Sequence, residues 1–298
     1  MVKILIRIYN WFKLLSQTFF SLLKVLFMSG KGLQVDKQDK TNENLIILGN
    51  GPSLQDFLDK DSKYLASIDL MAVNHFAISD YFTELMPKYY VAIAHDLYLE
   101  DVQEHFVEAS NKLFKSIAEK TTWHMILFMP REARKYQRWQ KDISKNKNIE
   151  IKYFNLTPVE GFRSTRHWFY SKNHGMPRPH NVMVPSIYLS ILLNRKKIGL
   201  LGADHSWLQN IIVNKDNEAM FVNKHFYDQK LTYKRFDYMG RTFLSLHEIL
   251  NTFSQAFKSY HILNTWAKSK DIKVLNLTPD SFIDAYERQE LEEFKRNN

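Results

Sequence analysis

Short apolar runs alternate with amphipathic stretches from residue 45 almost to the end of the chain. The predicted strands are Leu45–Leu48, Leu70–Val73, Tyr90–Ala94, Met125–Met129, Ile149–Phe154, Ile198–Leu201 and Ile272–Leu275. Several of them are continuously apolar, as strands covered on both faces must be. Helical stretches such as Pro185–Asn194 and Phe243–Lys268 lie between strands. The alternation predicts an α/β fold over residues 44–298: a Rossmann-like, mostly parallel sheet with helices on both faces.

The first 30 residues have a different pattern, in which polar residues recur every three or four positions within an apolar stretch. These residues are Lys3, Arg7, Asn10, Gln17, Ser21 and Lys24, and their spacing puts them on one stripe of a helix. Aromatic and aliphatic residues cover most of the rest, and no cleavage site of a signal peptide follows. A basic stripe beside an aromatic-rich apolar face is typical of an amphipathic helix that lies in the plane of an anionic membrane surface.

Two other interpretations of this helix stay open. A spanning helix would bury Lys13 near the middle of the bilayer, at a cost of about 2.5–3.5 kcal/mol. An ordinary helix packed on the domain is the third possibility. The pattern favours the in-plane helix, followed by a polar linker over residues 31–43.

Charge and composition narrow the function classes. The formal net charge is +9, but residues 1–32 carry five basic residues and no acid. The remainder is only mildly basic, so nucleic-acid binding by the domain is not favoured. The absence of cysteine excludes disulfides and thiolate metal sites. Asp59 and Asp61 form the only Asp-x-Asp pair and lie in a helix-like segment, so we predict no metal and no other cofactor.

The stretch NLIILGNGPSL runs from a buried strand into a turn with two glycines. Gly49 and Gly51 flank Asn50, and glycine permits both positive φ and close approach of the backbone to a ligand. Ser53 suits the start of a helix, whose N–H groups favour an anion. The turn lacks the full P-loop and dinucleotide patterns. It is therefore either a phosphate-binding turn or a plain tight connection.

Polar residues also follow other predicted strands: Asn74 and His75, His95 and Asp96, and Asp204 and His205. Because the carboxyl ends of parallel strands meet at one edge of a sheet, they are predicted to share one ligand site. Any single one could instead be a turn or capping residue. Residues 205–240 form a stretch too long and too aromatic for a plain loop, and we predict a lid over that site.

Together these motifs resemble the bacterial lipooligosaccharide sialyltransferases. The resemblance rests on LGNGPSL, AVNHF, a strand ending in AHD, KKIGLLGADHSW and KVLNLTPDSFIDAY, whose order and spacing agree over most of residues 44–286. It implies a Rossmann-like domain with a lid that transfers sialic acid from CMP-sialic acid, with inversion and without a metal. Asn50 and Gly51 would lie near the donor phosphate, and Asn74 would contact the nucleotide.

The chain departs from the family pattern at several of these positions. Asp96 stands where the family has an asparagine, and Asn181 replaces a threonine. Val182 and Met183 replace a Ser-Gly pair before the following helix. Another sugar nucleotide therefore stays open as the donor.

An inverting transfer needs a base that takes the proton of the acceptor hydroxyl, and histidine suits this role near neutral pH. The resemblance implies a histidine just past the lid, and His247 matches that place best. His225, inside the predicted lid, is the alternative, and a third possibility is that neither acts. Tyr227 is a candidate for holding the leaving phosphate.

The sequence thus predicts a membrane-associated glycosyltransferase that uses a nucleotide-sugar donor, with CMP-sialic acid favoured. The expected acceptor is a bacterial surface glycan or glycolipid: lipopolysaccharide, lipooligosaccharide or capsule. The expected location is peripheral, at the cytoplasmic face of the bacterial inner membrane. Two alternatives stay open: an ATP-dependent enzyme like the pterin pyrophosphokinases, which share the Gly-x-Gly-Pro-Ser-Leu turn, and a non-catalytic nucleotide-binding membrane protein. The oligomeric state is not indicated.

Overall fold

The structure is a computed structural model that describes residues 1–33, 43–222, 233–235, 237–238 and 242–296. Its strands, in chain order, are β1 (Asn44–Leu48), β2 (Asp69–Val73), β3 (Tyr89–Val91), β4 (Met125–Pro130), β5 (Ile149–Phe154), β6 (Lys197–Leu201), β7 (Ile211–Val213), β8 (Ala219–Val222), β9 (Tyr233–Arg235), β10 (Asp237–Tyr238), β11 (Thr242–Phe243), β12 (Lys273–Asn276) and β13 (Glu287–Arg288).

Nine α-helices occur in the described part of the chain. They are α1 (Val2–Met28), α2 (Leu54–Leu65), α3 (Tyr81–Leu85), α4 (Glu104–Lys120), α5 (Gln140–Ile143), α6 (Arg163–Ser171), α7 (Met183–Leu192), α8 (Leu246–Lys268) and α9 (Leu291–Arg296).

The central sheet has eight strands in the order β13-β12-β6-β1-β2-β3-β4-β5, and every pair in it is parallel. All seven strands predicted from apolar runs are present. Successive residues of β1 alternate between two cores: Leu45 and Ile47 pack on one face, and Ile46 and Leu48 on the other. The predicted parallel sheet with helices on both faces is therefore confirmed.

The strand order reverses direction at β1. The chain runs from β1 through β2 to β5 on one side, and then returns to add β6 and β12 on the other. In an open parallel sheet such a reversal leaves a crevice beyond the carboxyl ends of the two strands that flank it. Here those strands are β1 and β6, and the turns that follow them begin at Gly49 and Gly202.

The described part of the predicted lid is mostly β-structure. Strands β7, β8 and β9 form an antiparallel sheet, and β10 pairs with β11. Ala219 packs with Ile249 and Phe253 of α8, so the lid region shares a small core with that helix. His225 and Tyr227 lie outside the described residues.

Candidate functional site

A cavity of about 530 Å³ lies at the carboxyl edge of the sheet, beside the reversal of strand order. It is lined by the turns after β1, β2, β3 and β6 and by the residues that lead into α7. Seven of the predicted donor-binding residues line it: Gly49, Asn50, Gly51, Asn74, Asn181, Asp204 and His205. Ser53 and Asp96 do not line the cavity, but the residues that precede them, Pro52 and His95, do. The structure thus brings several of the strand ends together at one cavity.

The turns after β1 and β6 pack backbone against backbone. The Gly49 N–H donates to the Leu201 carbonyl at 2.7 Å, and the Gly51 N–H donates to the Gly202 carbonyl at 2.8 Å. A Cβ on Gly49 would lie 2.5 Å from the Gly202 oxygen. Positive φ occurs at Gly202 (+64°), whereas neither Gly49 nor Gly51 has it. The expectation of positive φ in the first turn is wrong, and its glycines are needed because the other turn lies so close.

Asp204 occupies the N-terminus of α2. Its carboxylate accepts the Ser53 N–H at 3.2 Å and the Ser53 hydroxyl at 2.9 Å. Burial raises the pKa of Asp204, and the two bonds from Ser53 oppose that rise. The N–H groups of Gly49, Gly51 and Ser53 are therefore used within the chain. This corrects the prediction that they point at a donor phosphate.

Asn50 ties the turn after β1 to the neighbouring strand. Its side-chain amide donates to the Val73 carbonyl at 3.0 Å. The side chain still lines the cavity, but the amide predicted to hold a donor oxygen has a structural bond at the end of β2. A substitution of Asn50 would therefore affect ligand binding partly by shifting the ends of β1 and β2.

A buried hydrogen-bonded chain links His205, Tyr260 and Asn181. The Tyr260 hydroxyl donates to Asn181 Oδ1 at 2.9 Å and lies 2.5 Å from His205 Nε2. Since its single proton goes to Asn181, the hydroxyl accepts the Nε2 proton of His205. Burial lowers the pKa of His205 to about 3. The imidazole is therefore neutral at physiological pH and too weak a base to activate a hydroxyl.

One polar group of the Asn181 side chain makes no hydrogen bond among the described residues. Its Oδ1 also accepts the Val184 N–H at 3.2 Å, at the start of α7. With two donors on Oδ1 the orientation of the amide is set, and the buried Nδ2 has no partner among the described residues. Asn74 Oδ1 is a second such atom, on a residue with φ of +44°. A buried polar group without a partner costs about 1–3 kcal/mol, so these atoms favour a polar ligand in the cavity.

A histidine–carboxylate pair stands at the rim of the cavity. His95 lines it, and its Nε2 lies 3.3 Å from Glu132 Oε1. The hydrogen bond from His95 holds the pKa of Glu132 below its usual range, and Tyr98 donates to the same carboxylate. With Nε2 on the carboxylate, Nδ1 is the nitrogen that can take up a proton. The sequence placed His95 among the strand-end candidates for the site, but it did not indicate the pairing with Glu132 or a role for His95 as the base.

His247 lies elsewhere. It is exposed in the first turn of α8, and its Nδ1 is 2.9 Å from the Ser245 hydroxyl. Ser245 and Glu248 form a capping box at the same helix end, so a local structural role accounts for the histidine. It is not among the lining residues of the cavity, which does not support its prediction as the base. For His225 and Tyr227 the predictions fall outside the described residues.

The described wall of the cavity holds no Lys or Arg, and Asp204 is its one carboxylate. Within the described residues no three His, Asp or Glu side chains come close enough to hold a metal ion together. Asp59 accepts hydrogen bonds from Gln55 and Tyr81, and Asp61 pairs with Lys295 at 2.6 Å. Independence from metal stays a prediction.

Comparisons with known proteins add little to this picture. No protein-family model matches the chain, and no curated protein matches it. Among solved structures, the chain is similar to a MAf glycosyltransferase from Magnetospirillum magneticum AMB-1, with 10% identity and a TM-score of 0.46. The similarity covers 94% of this chain and 38% of the other, so this chain spans well under half of that protein's length. A likeness this distant carries no inference about activity.

Proposed function

We propose that this protein is an inverting, sialyltransferase-like glycosyltransferase that takes a sugar from a nucleotide donor, with CMP-sialic acid favoured. The observation that carries the proposal is the cavity at the strand-order reversal, in which Asn74 and Asn181 each leave a buried polar atom without a partner among the described residues. Ligands of open parallel sheets bind at this position. The sequence resemblance supplies the choice of reaction and donor.

The two asparagines suit complementary groups of a nucleotide sugar. Asn181 Nδ2 can donate to a phosphate, carboxylate or carbonyl oxygen, and Asn74 Oδ1 can accept from an amino or hydroxyl group. His205 is held neutral by burial and oriented by Tyr260, so it adds hydrogen bonding without charge. None of these contacts needs a metal ion.

Charge on the leaving phosphate must be balanced from outside the described wall, since no Lys or Arg lines it. The segment between β8 and α8 carries Lys224, Lys230 and Arg241 in its sequence, together with Tyr227. We propose that basic and hydroxyl side chains of the predicted lid, residues 205–240, balance the charge on the phosphate; Lys224, Tyr227 and Lys230 lie outside the described residues.

The base we favour is His95, oriented by Glu132. An acceptor hydroxyl oxygen attacks the anomeric carbon, and its proton passes to His95 Nδ1. The bond from that carbon to the nucleotide phosphate oxygen breaks, and the nucleotide leaves with the electron pair. One displacement inverts the anomeric centre. His225 remains the alternative in the lid, and His247 is disfavoured by its exposed capping position.

For the acceptor we retain a lipid-linked bacterial surface glycan, and for the location the cytoplasmic face of the inner membrane. Support comes from the apolar helix α1, which is long enough by length and composition to enter a membrane. An enzyme held at the membrane meets a lipid-linked acceptor at a raised effective concentration.

The test is a thermal-shift series with CMP, UDP, GDP and ATP, each with and without Mg²⁺. We expect CMP to raise the melting temperature most, without any need for Mg²⁺. Asn181→Asp should abolish that rise, because it keeps the Oδ1 acceptor and removes the donor group. The control is Asn251→Asp, the same change at an exposed position of α8. Stabilisation by ATP with Mg²⁺ alone would favour the pyrophosphokinase alternative, and no response to any nucleotide would remove the proposal.

A further inference from the structure

Helix α1 is fixed to the domain by its small polar residues. Thr18 and Ser21 are buried, while the aliphatic and aromatic side chains around them are largely exposed. Thr18 Oγ1 accepts the Phe162 N–H at 2.9 Å. The Ser21 hydroxyl donates to the Glu160 carbonyl at 3.1 Å and accepts the Glu160 N–H at 2.9 Å. These bonds connect one side of the helix to one loop of the domain.

The covered side is the polar stripe recognised in the sequence. Gln17, Ser21 and Lys24 of that stripe are partly or fully buried, and Thr18 lies at its margin. The outward arc is apolar and includes Leu5, Phe12, Leu15, Phe19, Leu23 and Leu26, all exposed. An ordinary surface helix has the opposite arrangement, with its apolar face on the core. The apolar face of α1 is thus not the face that packs on the domain, which disfavours the interpretation as an ordinary packed helix.

We infer that α1 lies in the plane of an anionic membrane surface, with its apolar arc in the bilayer and the domain seated on its polar side. Soluble proteins rarely expose a continuous apolar surface of this length to water. Lys3, Arg7 and Lys13 add positive charge, and residues 1–32 contain no acid. Acyl chains with anionic headgroups match both properties.

The docking contacts argue against a spanning arrangement. They begin where the Trp11 and Phe162 rings lie 6.2 Å apart and continue past the end of the helix. The ten residues before Trp11 extend about 15 Å as a helix, against about 30 Å of hydrocarbon. A deeper insertion would carry the Glu160 side chain, paired with Arg178 at 3.2 Å and Lys258 at 3.4 Å, into the bilayer.

A second element of the domain runs beside α1. Helix α6 begins next to Phe162, which contacts α1, and it ends near His174, whose carbonyl accepts the Ser29 hydroxyl at 2.5 Å. Its exposed residues include Arg163 and Trp168, the latter 56% exposed. Tryptophan and arginine are favoured at the headgroup level of membranes. The exposed residues of α6 thus have the composition favoured at the headgroup level.

The docked helix α1 is also connected to the cavity. Asn155 binds the backbone just past α1, accepting the Gly30 N–H at 2.9 Å and donating to the Gly30 carbonyl at 3.2 Å. The next residue, Leu156, lines the cavity. Asn155 and Leu156 are adjacent in the chain, so together they connect the end of α1 to the cavity wall. The in-plane orientation of α1 does not depend on which reaction the cavity supports.

The absence of cysteine makes a site-specific test direct. Spin labels are attached to single cysteines at Leu5, Phe12, Phe19 and Leu26, which lie seven residues apart on the outward arc. The full chain is bound to vesicles of phosphatidylcholine with phosphatidylglycerol, and collision with oxygen and with a nickel chelate gives each label's depth. We expect one shallow depth at all four positions. A spanning helix would change the depth by about 10 Å per step and would overturn the inference.

Two further measurements complete the test. Phe12→Glu with Phe19→Glu should lower recovery by flotation about tenfold or more, while Met86→Glu, at an exposed apolar residue outside α1, should not. All these side chains are exposed, so the melting temperature should hold. Equal binding to vesicles of phosphatidylcholine alone would remove the anionic requirement. Spin–spin coupling between copies, without oxygen accessibility, would assign the apolar arc to a second copy of the chain instead.

Discussion

The two walls of the cavity use polar residues in opposite ways. On the wall built from the turns after β1 and β6, the Asp204 carboxylate, Ser53 and the glycine N–H groups are bonded to one another. On the facing residues, Asn181 is held by two hydrogen bonds to its Oδ1, and Asn74 and Asn181 each keep one buried polar atom without a partner in the described chain. The first wall shapes the cavity, and the second is equipped to recognise a ligand.

This difference teaches that a glycine-rich turn at a strand end is not by itself a ligand contact. Gly49 and Gly51 have the composition of a phosphate-binding turn, yet their close neighbour is another turn of the same chain. The more informative signal is a hydrogen-bonding group that the fold anchors but does not satisfy. Each of the following changes tests one side of that contrast.

The largest effect is expected on the wall built from the turns after β1 and β6, where the polar groups bond one another. A Cβ on Gly51 would lie 1.9 Å from Asp204 Oδ2 and 2.6 Å from the Gly202 carbonyl oxygen. Gly51→Val should therefore destabilise the fold by about 3 kcal/mol or more, measured by denaturant unfolding. A folded, normally stable variant that has lost only nucleotide binding would show that this turn faces the ligand after all.

The next effect concerns the rim. His95→Ala should lower kcat/KM by about 10²–10⁴-fold with little change in melting temperature, because the ring is exposed. Glu132→Gln should cause a smaller loss, since the histidine remains but is less well oriented. His247→Ala is the matched comparison and should leave kcat/KM unchanged. If His247→Ala caused the large loss and His95→Ala none, the base would be reassigned.

A smaller effect should distinguish Asn181 from Asn50, both of which line the cavity. Asn181→Asp retains the acceptor for Tyr260 and removes the unused donor, so ligand binding should weaken by about 1–3 kcal/mol. Asn50→Asp instead puts an oxygen against the Val73 carbonyl, so its cost of about 1–3 kcal/mol should appear in the free energy of unfolding. Calorimetric titration and denaturant unfolding of both variants give the comparison. Identical profiles for the two would erase the distinction between the walls.

The smallest effect at neutral pH comes from His205, whose contribution to stability appears only on acidification. Its pKa is about 3 when folded, against 6.5 as the ordinary value. Between these values the unfolded chain binds a proton that the folded chain does not, so stability falls as pH drops through this window. The slope from this group is at most about 1.4 kcal/mol per pH unit, and nothing is lost above pH 6.5.

The control for that measurement is His205→Asn, because asparagine tolerates the left-handed backbone at this position, where φ is +53°. Unfolding free energies are measured at several pH values for both proteins. The wild-type chain should lose more stability on acidification than the variant. Parallel curves would mean that His205 is protonated in the folded state or already perturbed when unfolded.

The apolar periodicity was sufficient to predict the sheet. Strands covered on both faces are continuously apolar, and this pattern identified β1 to β6 and β12 within a few residues. The two-residue β13 is exposed, so burial leaves no pattern in its sequence. The strand ends were predicted to converge because parallel strands share an edge. Which polar group bonds which neighbour could not be predicted in the same way.

Long-range pairing explains what the sequence concealed in the site. Ser53 and Asp204 are 151 residues apart, and their bond decides the character of the first turn. His95 and Glu132 come from the ends of adjacent strands, and only the folded sheet brings them within 3.3 Å. Helix α1 offers a third case. Its stripe was correctly located, but periodicity cannot distinguish a polar side that faces water from one that bonds a loop.

The docking of α1 has a consequence for how this chain tolerates mutation over evolutionary time. Residues 1–10 are all exposed, so substitutions there need only preserve an apolar, basic composition. Thr18 and Gly161 have no such latitude, because a Cβ on Gly161, at φ of +103°, would lie 2.1 Å from Thr18 Oγ1. Related sequences should drift freely over the first three turns of the helix and then change abruptly to position-by-position constraint, with replacements at 18 and 161 occurring together.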